Sequence, residues 1–465
     1  MPDPTPNPTD LPPPSDFRAK FGLFVVGLGS ILGPLDSSVN IAFPDITRSF
    51  EIGLNGIQWV IICFVLTQAG SVLIFSKLGD LFGHKKLFTL GLMVSVVAHA
   101  LCAYSSTFGW FLVFRVLQGF GIAMLIGCGP ALATFLFSEQ LRGRVLAIYT
   151  MMFALGMAFG PAFGGWLVEH WGWPGVFWFR VPLAVTALIL MIFLPKIDQP
   201  KRQPNLDLAG AALLIATLSA FILVLNQLQQ AEISWLLTGL LLLVGILCLK
   251  GFLRAESRAP EPILRLAMFR DRGFSMLQMT NLMVNLCGFT LMVIGPHYLV
   301  REVGLSVIEA GLVLALSLIG GGAAGLAGSW LIAKIAAGKI AFSGVVITAV
   351  GLFGVALLEP STGLFALAPA LFAIGLGLGL FQLSCLELTA ATLPRAERGV
   401  AGGLVSLTRM IGMVICASVV TGGFEIMQRQ ISFVAAFQAI FLAAGLLITV
   451  FLLISLTRRE IWFSR

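Results

Sequence analysis

From Phe21 almost to the C-terminus, stretches of roughly 20 mostly apolar residues follow one another, and a stretch of that length matches the hydrocarbon core of a bilayer. Inside lipid every backbone N–H and C=O must find its partner within the protein, so such stretches fold as spanning helices. Fourteen candidate spans begin near Phe21, Gly56, Leu87, Trp110, Val145, Val176, Leu208, Ile233, Phe274, Ala310, Ile340, Gly363, Val400 and Phe433. Only 11% of the residues are charged, against about 25% in soluble domains, which excludes a soluble fold. Ahead of the first span, MPDPTPNPTDLPPP carries seven prolines and no apolar run, and residues 1–18 are expected to form a disordered tail.

The basic residues sort by side. With the N-terminus placed inside, 23 of the 29 Lys and Arg residues fall on the cytoplasmic side, three outside (Arg48, Arg301, Arg429) and three within spans (Arg115, Arg180, Arg409). Basic loops stay in the cytoplasm, so both termini are expected there. The net charge of +7 is then a mark of topology, and nucleic acid is not a partner. The seven cysteines are widely separated, without CxxC or His-linked spacing, so neither a metal site nor a disulfide is expected.

The chain also repeats itself. Gly119, Gly121, Arg142, Gly143, Gly156 and Met157 recur 256 residues later as Gly375, Gly377, Arg398, Gly399, Gly412 and Met413. Spans four and five therefore correspond to spans twelve and thirteen, and Leu206 to Phe252 supplies two spans with no counterpart. The expected order is a six-helix bundle (19–196), a linker with two extra spans and a basic loop (197–272), a second six-helix bundle (273–457) and a short tail (458–465). Repeated bundles are characteristic of secondary transporters that rock about a central site.

Charges inside spans are costly and generally face the protein interior with a partner. In ILGPLDSSVNIAFP, Asp36 lies about 15 residues into span one, roughly 22 Å from the cytoplasm. In FRVLQGFG, Arg115 lies about five residues into span four from outside, which places it at about the same depth. Gln118 follows one turn later. The two charges can pair; the alternative for Arg115 is snorkelling to the outer surface. Gly33-Pro34 just before Asp36 is expected to loosen the helix. Glu387 and Arg409, the latter roughly 13 Å deep, could pair or serve the substrate path, the alternative for Glu387 being contact with lipid headgroups.

After span two, SKLGDLFGHKK offers Asp80, a tight turn at Gly83, and Lys85, a set able to latch two helix ends; the alternative is an ordinary basic loop. In span five, LGMAFGPAFGG places Gly156, Gly160 and Gly164, with Gly165 beside them, along a smooth stripe, and Pro161 favours a kink. EHWGWPGVFWFR, with Glu169, His170 and Arg180 among tryptophans, reads as an interfacial aromatic belt. No P-loop, nucleophile motif or metal spacing is present, which argues against ATP-driven pumping and against an enzyme.

Taken together, LDSSVNIAFP, SKLGDLFGHKK, RVLQGFG and GMAFGPAFGG resemble the motifs of the major facilitator superfamily, most similarly those of its fourteen-span drug:proton antiporter branch. The resemblance implies an all-α membrane protein of the major facilitator fold, with fourteen transmembrane helices in two six-helix bundles plus two inserted helices. It assigns Asp36 and Arg115 to proton coupling, Asp80 and Gly83 to the conformational latch, and Gly160-Pro161 to the antiporter-type helix. The latch motif departs from the family at Ser76, Leu81 and His84, with Lys85 or Arg144 as compensating cations, and its second copy in GSWLIAKIAAGKI lacks an acid.

The expected function is proton-coupled export of drugs or other amphipathic molecules by alternating access. The protein is expected to be monomeric and multi-pass in a plasma membrane such as the bacterial inner membrane. Its partners would be protons, a small-molecule substrate and the bilayer, and it would use no cofactor. Two rivals stand beside this: transport of an endogenous metabolite, lipid or siderophore on the same fold, and a non-transporting sensor or scaffold.

Overall fold

A computed structural model describes residues 16–137, 142–194, 208–228, 233–259, 266–332, 334–359, 364–392 and 398–463. Most of the expected tail, the loop at 138–141 and most of the linker before the inserted helices lie outside the described residues. Every regular element among the described residues is helical. In chain order the main segments are α1 (Ala19–Ile41), α2 (Leu54–Phe82), α3 (His84–Ala103), α4 (Phe108–Phe135), α5 (Arg142–Trp171), α6 (Gly175–Phe193) and α7 (Leu208–Leu228). There follow α8 (Trp235–Arg258), α9 (Arg272–Arg301), α10 (Val307–Ile332), α11 (Ala337–Ala356), α12 (Leu364–Ala391), α13 (Arg398–Gln428) and α14 (Phe433–Ser455).

Among the described residues, eleven helices are long and apolar enough to cross a bilayer, or twelve when the two pieces of α2, bent by 46°, count as one span. Fourteen were expected from the sequence. The difference falls on α7, whose apolar stretch Ala212–Leu228 is short for a crossing, and on α5, many of whose side chains lie outside the described residues.

Local sequence sets the helix ends. Thr107, Asp271 and Ser432 each accept a backbone N–H two or three residues on, the usual way to satisfy a helix N-terminus. Between α2 and α3 only one residue intervenes, Gly83, whose φ of +100° is open to glycine and strained for other residues.

The repeat reappears as packing. Gly119 of α4 lets in the backbone of α2 at Phe64, and Gly375 of α12 lets in the backbone of α10 at Ser317. Gly121 meets Ser95 on α3, whereas Gly377 meets Gly344 and Thr348 on α11. Gly156 abuts Ile31 and Pro34 on α1, whereas Gly412 abuts Leu282 and Leu286 on α9. Each pair meets corresponding helices of its own half, so a Cβ at any of these positions would force two helices apart.

Outside this repeat, α7 and α8 pack on each other, and α7 touches both α2 and α13. A small apolar cavity of about 180 Å³ remains there, lined by Leu66, Phe221, Met410 and Val414 among others. The outer helix α8 turns Leu236, Leu240, Leu243 and Leu247 away from the protein, as a lipid-facing helix does.

The start of α1 and the end of α14 define the proximal face. Toward the opposite, distal face the halves are tied at several points. Thr47 lies 3.5 Å from His297 Nε2, Thr421 donates to Gln58 at 3.4 Å, and Ile308 N–H donates to Glu169 at 3.4 Å. The carbonyl of Pro161 in α5 lies against Gly311 of α10, where no side chain could fit.

Candidate functional site

The first helix does not cross the protein in one piece. It gives way to a turn at Ile31–Gly33, tightens into a short 3₁₀ segment at Pro34–Asp36 and resumes at Ser37. Proline at this point has no N–H to continue the helix and fixes its own φ, so the backbone rewinds where the carboxylate sits. The expected loosening at Gly33-Pro34 is thus visible in the backbone.

Asp36 is met by two arginines. Arg115 from α4 places Nη1 and Nη2 on Asp36 Oδ1 and Oδ2 at 2.8 and 2.9 Å, a two-pronged pairing that fixes direction as well as charge. Arg180 from α6 donates to the same Oδ1 at 2.9 Å, and its other nitrogen donates to the Leu35 carbonyl at 2.7 Å and Ser38 Oγ at 2.6 Å. Gln118 Nε2 also donates to Oδ1 at 2.9 Å while its Oε1 accepts from Arg115 at 2.8 Å. Arg115 further donates to the carbonyl of Val60 on α2 at 3.0 Å. Both arginines are fully buried and Asp36 is 14% exposed. The cluster therefore holds one negative charge against two positive ones.

Aromatic faces close it off. Arg115 lies 4.4 Å from the Phe64 ring centre and Arg180 lies 5.6 Å from that of Phe177, positions in which a ring's negative face favours a cation. Behind Gln118, buried His99 lies 2.6 Å through Nδ1 from the Ser95 carbonyl. A carbonyl can only accept, so Nδ1 carries the proton, and Nε2 is left to face Gln118 Nε2 at 3.4 Å.

The contact of Asp36 with Arg115 was anticipated from depth, and Gln118 was noted one turn from Arg115, but Arg180 was not expected here: the sequence placed it in an aromatic belt. That placement is corrected here. Trp166, Trp171 and Trp178 are indeed exposed, but the short helix Gly175–Trp178 turns the chain inward behind Trp173, and Arg180 is 0% exposed. Its mark in the sequence was an arginine at the head of a hydrophobic span.

Helix α5 locks onto this site through its glycines. Gly156, Gly160 and Gly164 face α1 at Ile31 and Pro34, at Ser37 and at Ser38 respectively. Pro161 lacks an N–H, which leaves the carbonyl of Met157 one turn back without a helical partner. Ser37 Oγ lies 3.1 Å from that carbonyl and 2.9 Å from that of Pro34, so the residue next to Asp36 fills the gap. Gly165 faces the other way, onto Val307 and Ile308 of α10.

At the proximal end of α2, Asp80 pairs with His84 at 2.9 Å, and His84 is buried against Phe135 of α4. Lys85 reaches the carbonyl of Leu194 at the end of α6 at 2.5 Å, a cation on a helix C-terminus. The side chain of Arg144 lies outside the described residues.

The second half is different in kind. On α9, Gln278, Asn281 and Asn285 are buried along one face. Asn281 donates to the Val405 carbonyl at 2.9 Å and to Thr408 at 2.5 Å, Gln278 donates to Thr389 at 2.9 Å, and Asn285 reaches Gln382 at 3.4 Å. This amide row joins α9, α12 and α13. Sequence reading passed over it, although MLQMTNLMVNL shows three amides at one-turn and two-turn spacing. Arg409 and Glu387 do not pair: Glu387 is exposed near the proximal end of α12, and Arg409 is partly buried with its Nε unmatched.

Comparison with known proteins identifies the family. The family model described as Major Facilitator Superfamily matches residues 21–417 and again 277–464. The chain is 28% identical to the riboflavin transporter RibZ of Clostridioides difficile, over 84% of this chain and 85% of that one. It is 29% identical to the tetracenomycin C resistance and export protein of Streptomyces glaucescens, over 84% and 73% of the two chains. It is 27% identical to the multidrug transporter protein MdtP of Bacillus subtilis, over 85% and 74%. In fold it is similar to a bacterial homologue of the human lysosomal transporter Spinster, solved inward-facing and unoccupied, with a TM-score of 0.69 at 17% identity over 97% and 100% of the chains. With the family model spanning nearly the whole chain, the protein is a multi-pass membrane transporter, not an enzyme, and belongs to the major facilitator superfamily.

Proposed function

We propose that this transporter exports drugs or other amphipathic small molecules in exchange for protons, by alternating access. The observation that carries the reading is Asp36: a carboxylate deep in a span, next to a break in its own helix and held by Arg115 and Arg180. A neutral carboxyl cannot hold two cations. Proton uptake at Asp36 and retreat of at least one arginine therefore go together, and such a two-position element is what coupling to a proton gradient requires.

Fourteen spans, in a six-plus-two-plus-six order, would complete the architecture, with α7 and α8 as the inserted pair. The concentration of basic residues at one face supports placing both termini in the cytoplasm, the protein in a bacterial inner membrane, and the proximal face inward. The closure of the distal face around Pro161 and Gly311 then corresponds to a state shut toward the outside. Exporters among the relatives support the direction of transport, and the riboflavin transporter RibZ keeps open an endogenous metabolite as cargo.

The test is efflux from proteoliposomes of a panel of dyes and antibiotics with an imposed pH gradient. Wild type is expected to expel at least one compound faster with the gradient than without it, and Asp36→Asn to abolish that difference. Full gradient-driven efflux by Asp36→Asn would refute the coupling assignment.

A further inference from the structure

Away from the helix ends, the described spans hold three interior cations, Arg115 and Arg180 buried and Arg409 partly buried, against one carboxylate, Asp36. Two of the three are sealed on Asp36 and unreachable. Arg409 is the remaining one: partly exposed, and with no hydrogen bond or ion pair to any described residue, its Nε buried and unmatched. A cation left this way inside a bilayer protein is costly unless something else meets it.

Its direction follows from helix geometry. Met410, Ile411, Val414 and Ile415 of α13 face the groove toward α7 at the edge of the molecule. At 100° per residue Arg409 stands on the opposite side, with Val405 and Cys416, which touch Asn281 and Thr290 of α9. Asn285 stands against Gly412, one turn along from Arg409, and Gln382 reaches Asn285 from α12. The surroundings are thus neutral amides able to donate as well as accept, with no acid among them.

We infer that Arg409 is the recognition point for an anionic group on the cargo, a carboxylate or a comparably acidic oxygen, which docks against Arg409 with the amides of Gln382 and Asn285 beside it. The inference rests on the transport reading and narrows it: of amphipathic molecules, this protein takes acids in preference to amines. The field of the sealed cluster, with its own excess positive charge, acts in the same sense.

The probes are a dansylated eleven-carbon carboxylic acid, its methyl ester and the corresponding amine, titrated by fluorescence against the purified full chain in lipid nanodiscs. Wild type is expected to bind the acid roughly tenfold or more tightly than the ester, and the amine no better than the ester. Arg409→Gln is expected to bring acid and ester level, with a thermal unfolding midpoint close to wild type showing that the variant is folded; Arg409→Lys is expected to keep an acid preference. Acid binding no tighter than ester binding in wild type, or an acid preference that survives Arg409→Gln, overturns the inference. Failure here with an intact Asp36→Asn phenotype removes only the substrate class, whereas an Arg409-dependent acid preference with gradient coupling that survives Asp36→Asn removes only the proton role of Asp36.

Discussion

In the N-terminal half, Arg115 and Arg180 close on Asp36 with three charge-assisted contacts of 2.8 to 2.9 Å, under two aromatic rings. In the C-terminal half, Arg409 stands beside a row of amides with no acid in contact, although glycine packing shows the two halves to be built on one plan. The same backbone thus carries two different kinds of interior. One is a closed electrostatic unit whose members depend on each other. The other is a neutral hydrogen-bonded seam with a single open cation, suited to a partner from outside the chain.

The comparison breaks most sharply at Asp36. Asp36→Ala leaves two buried arginines without an anion and is expected to cost about 3–5 kcal/mol, seen as a large drop in thermal unfolding temperature in detergent. An unchanged midpoint would mean that the cluster is not the unit described. Gly160→Ala comes next: its methyl would occupy the place of Ser37 Oγ, and a loss of about 1–3 kcal/mol is expected, partly restored by adding Ser37→Ala. No rescue by the second change would separate the glycine from the site.

Smaller effects sharpen the contrast. Arg180→Leu leaves Asp36 and Arg115 as a matched pair, and Ser38 still donates to the Leu35 carbonyl at 2.8 Å, so its cost is expected near 1–2 kcal/mol, from the charge-assisted bonds that Arg180 no longer makes. A cost equal to that of Asp36→Ala would show the second arginine to be as indispensable as the carboxylate. Smallest is Arg409→Gln, expected within about 1 kcal/mol of wild type, because no internal partner is lost. If it destabilises as much as Asp36→Ala, Arg409 has a structural role and the contrast fails.

The charged half was the more legible one in the sequence. Asp36 and Arg115 are conspicuous in apolar runs, and counting residues at 1.5 Å each brought them level. Arg180 escaped because the tryptophans around it mark a bilayer surface, and depth counted from them does not register that the chain turns inward at Gly175–Trp178. The amide row escaped for another reason. Gln278, Asn281 and Asn285 carry no charge, and their span remains apolar enough to pass as a plain membrane helix. The repeat was readable because close packing demands glycine whatever its neighbours, whereas the pairing of Glu387 with Arg409 rested on rough nearness along the membrane normal, which says nothing about facing. The count of spans was least secure where a helix is short, as at α7.

The small bond from Ser37 to the carbonyl that Pro161 leaves vacant has a thermodynamic consequence. Met157 and Pro161 are one turn apart on α5, and the carbonyl of Pro161 is itself pressed on Gly311 of the other half. Four residues thus connect the carboxylate's neighbour to the seam along which the halves meet. On the proposed reading, occupancy of Asp36 by a proton and the position of α10 against α5 are linked variables: whatever one does to the free energy of the other, the reverse effect has equal size. Loosening that seam from the far side, for instance at Gly311, should then alter proton affinity at a residue it never touches.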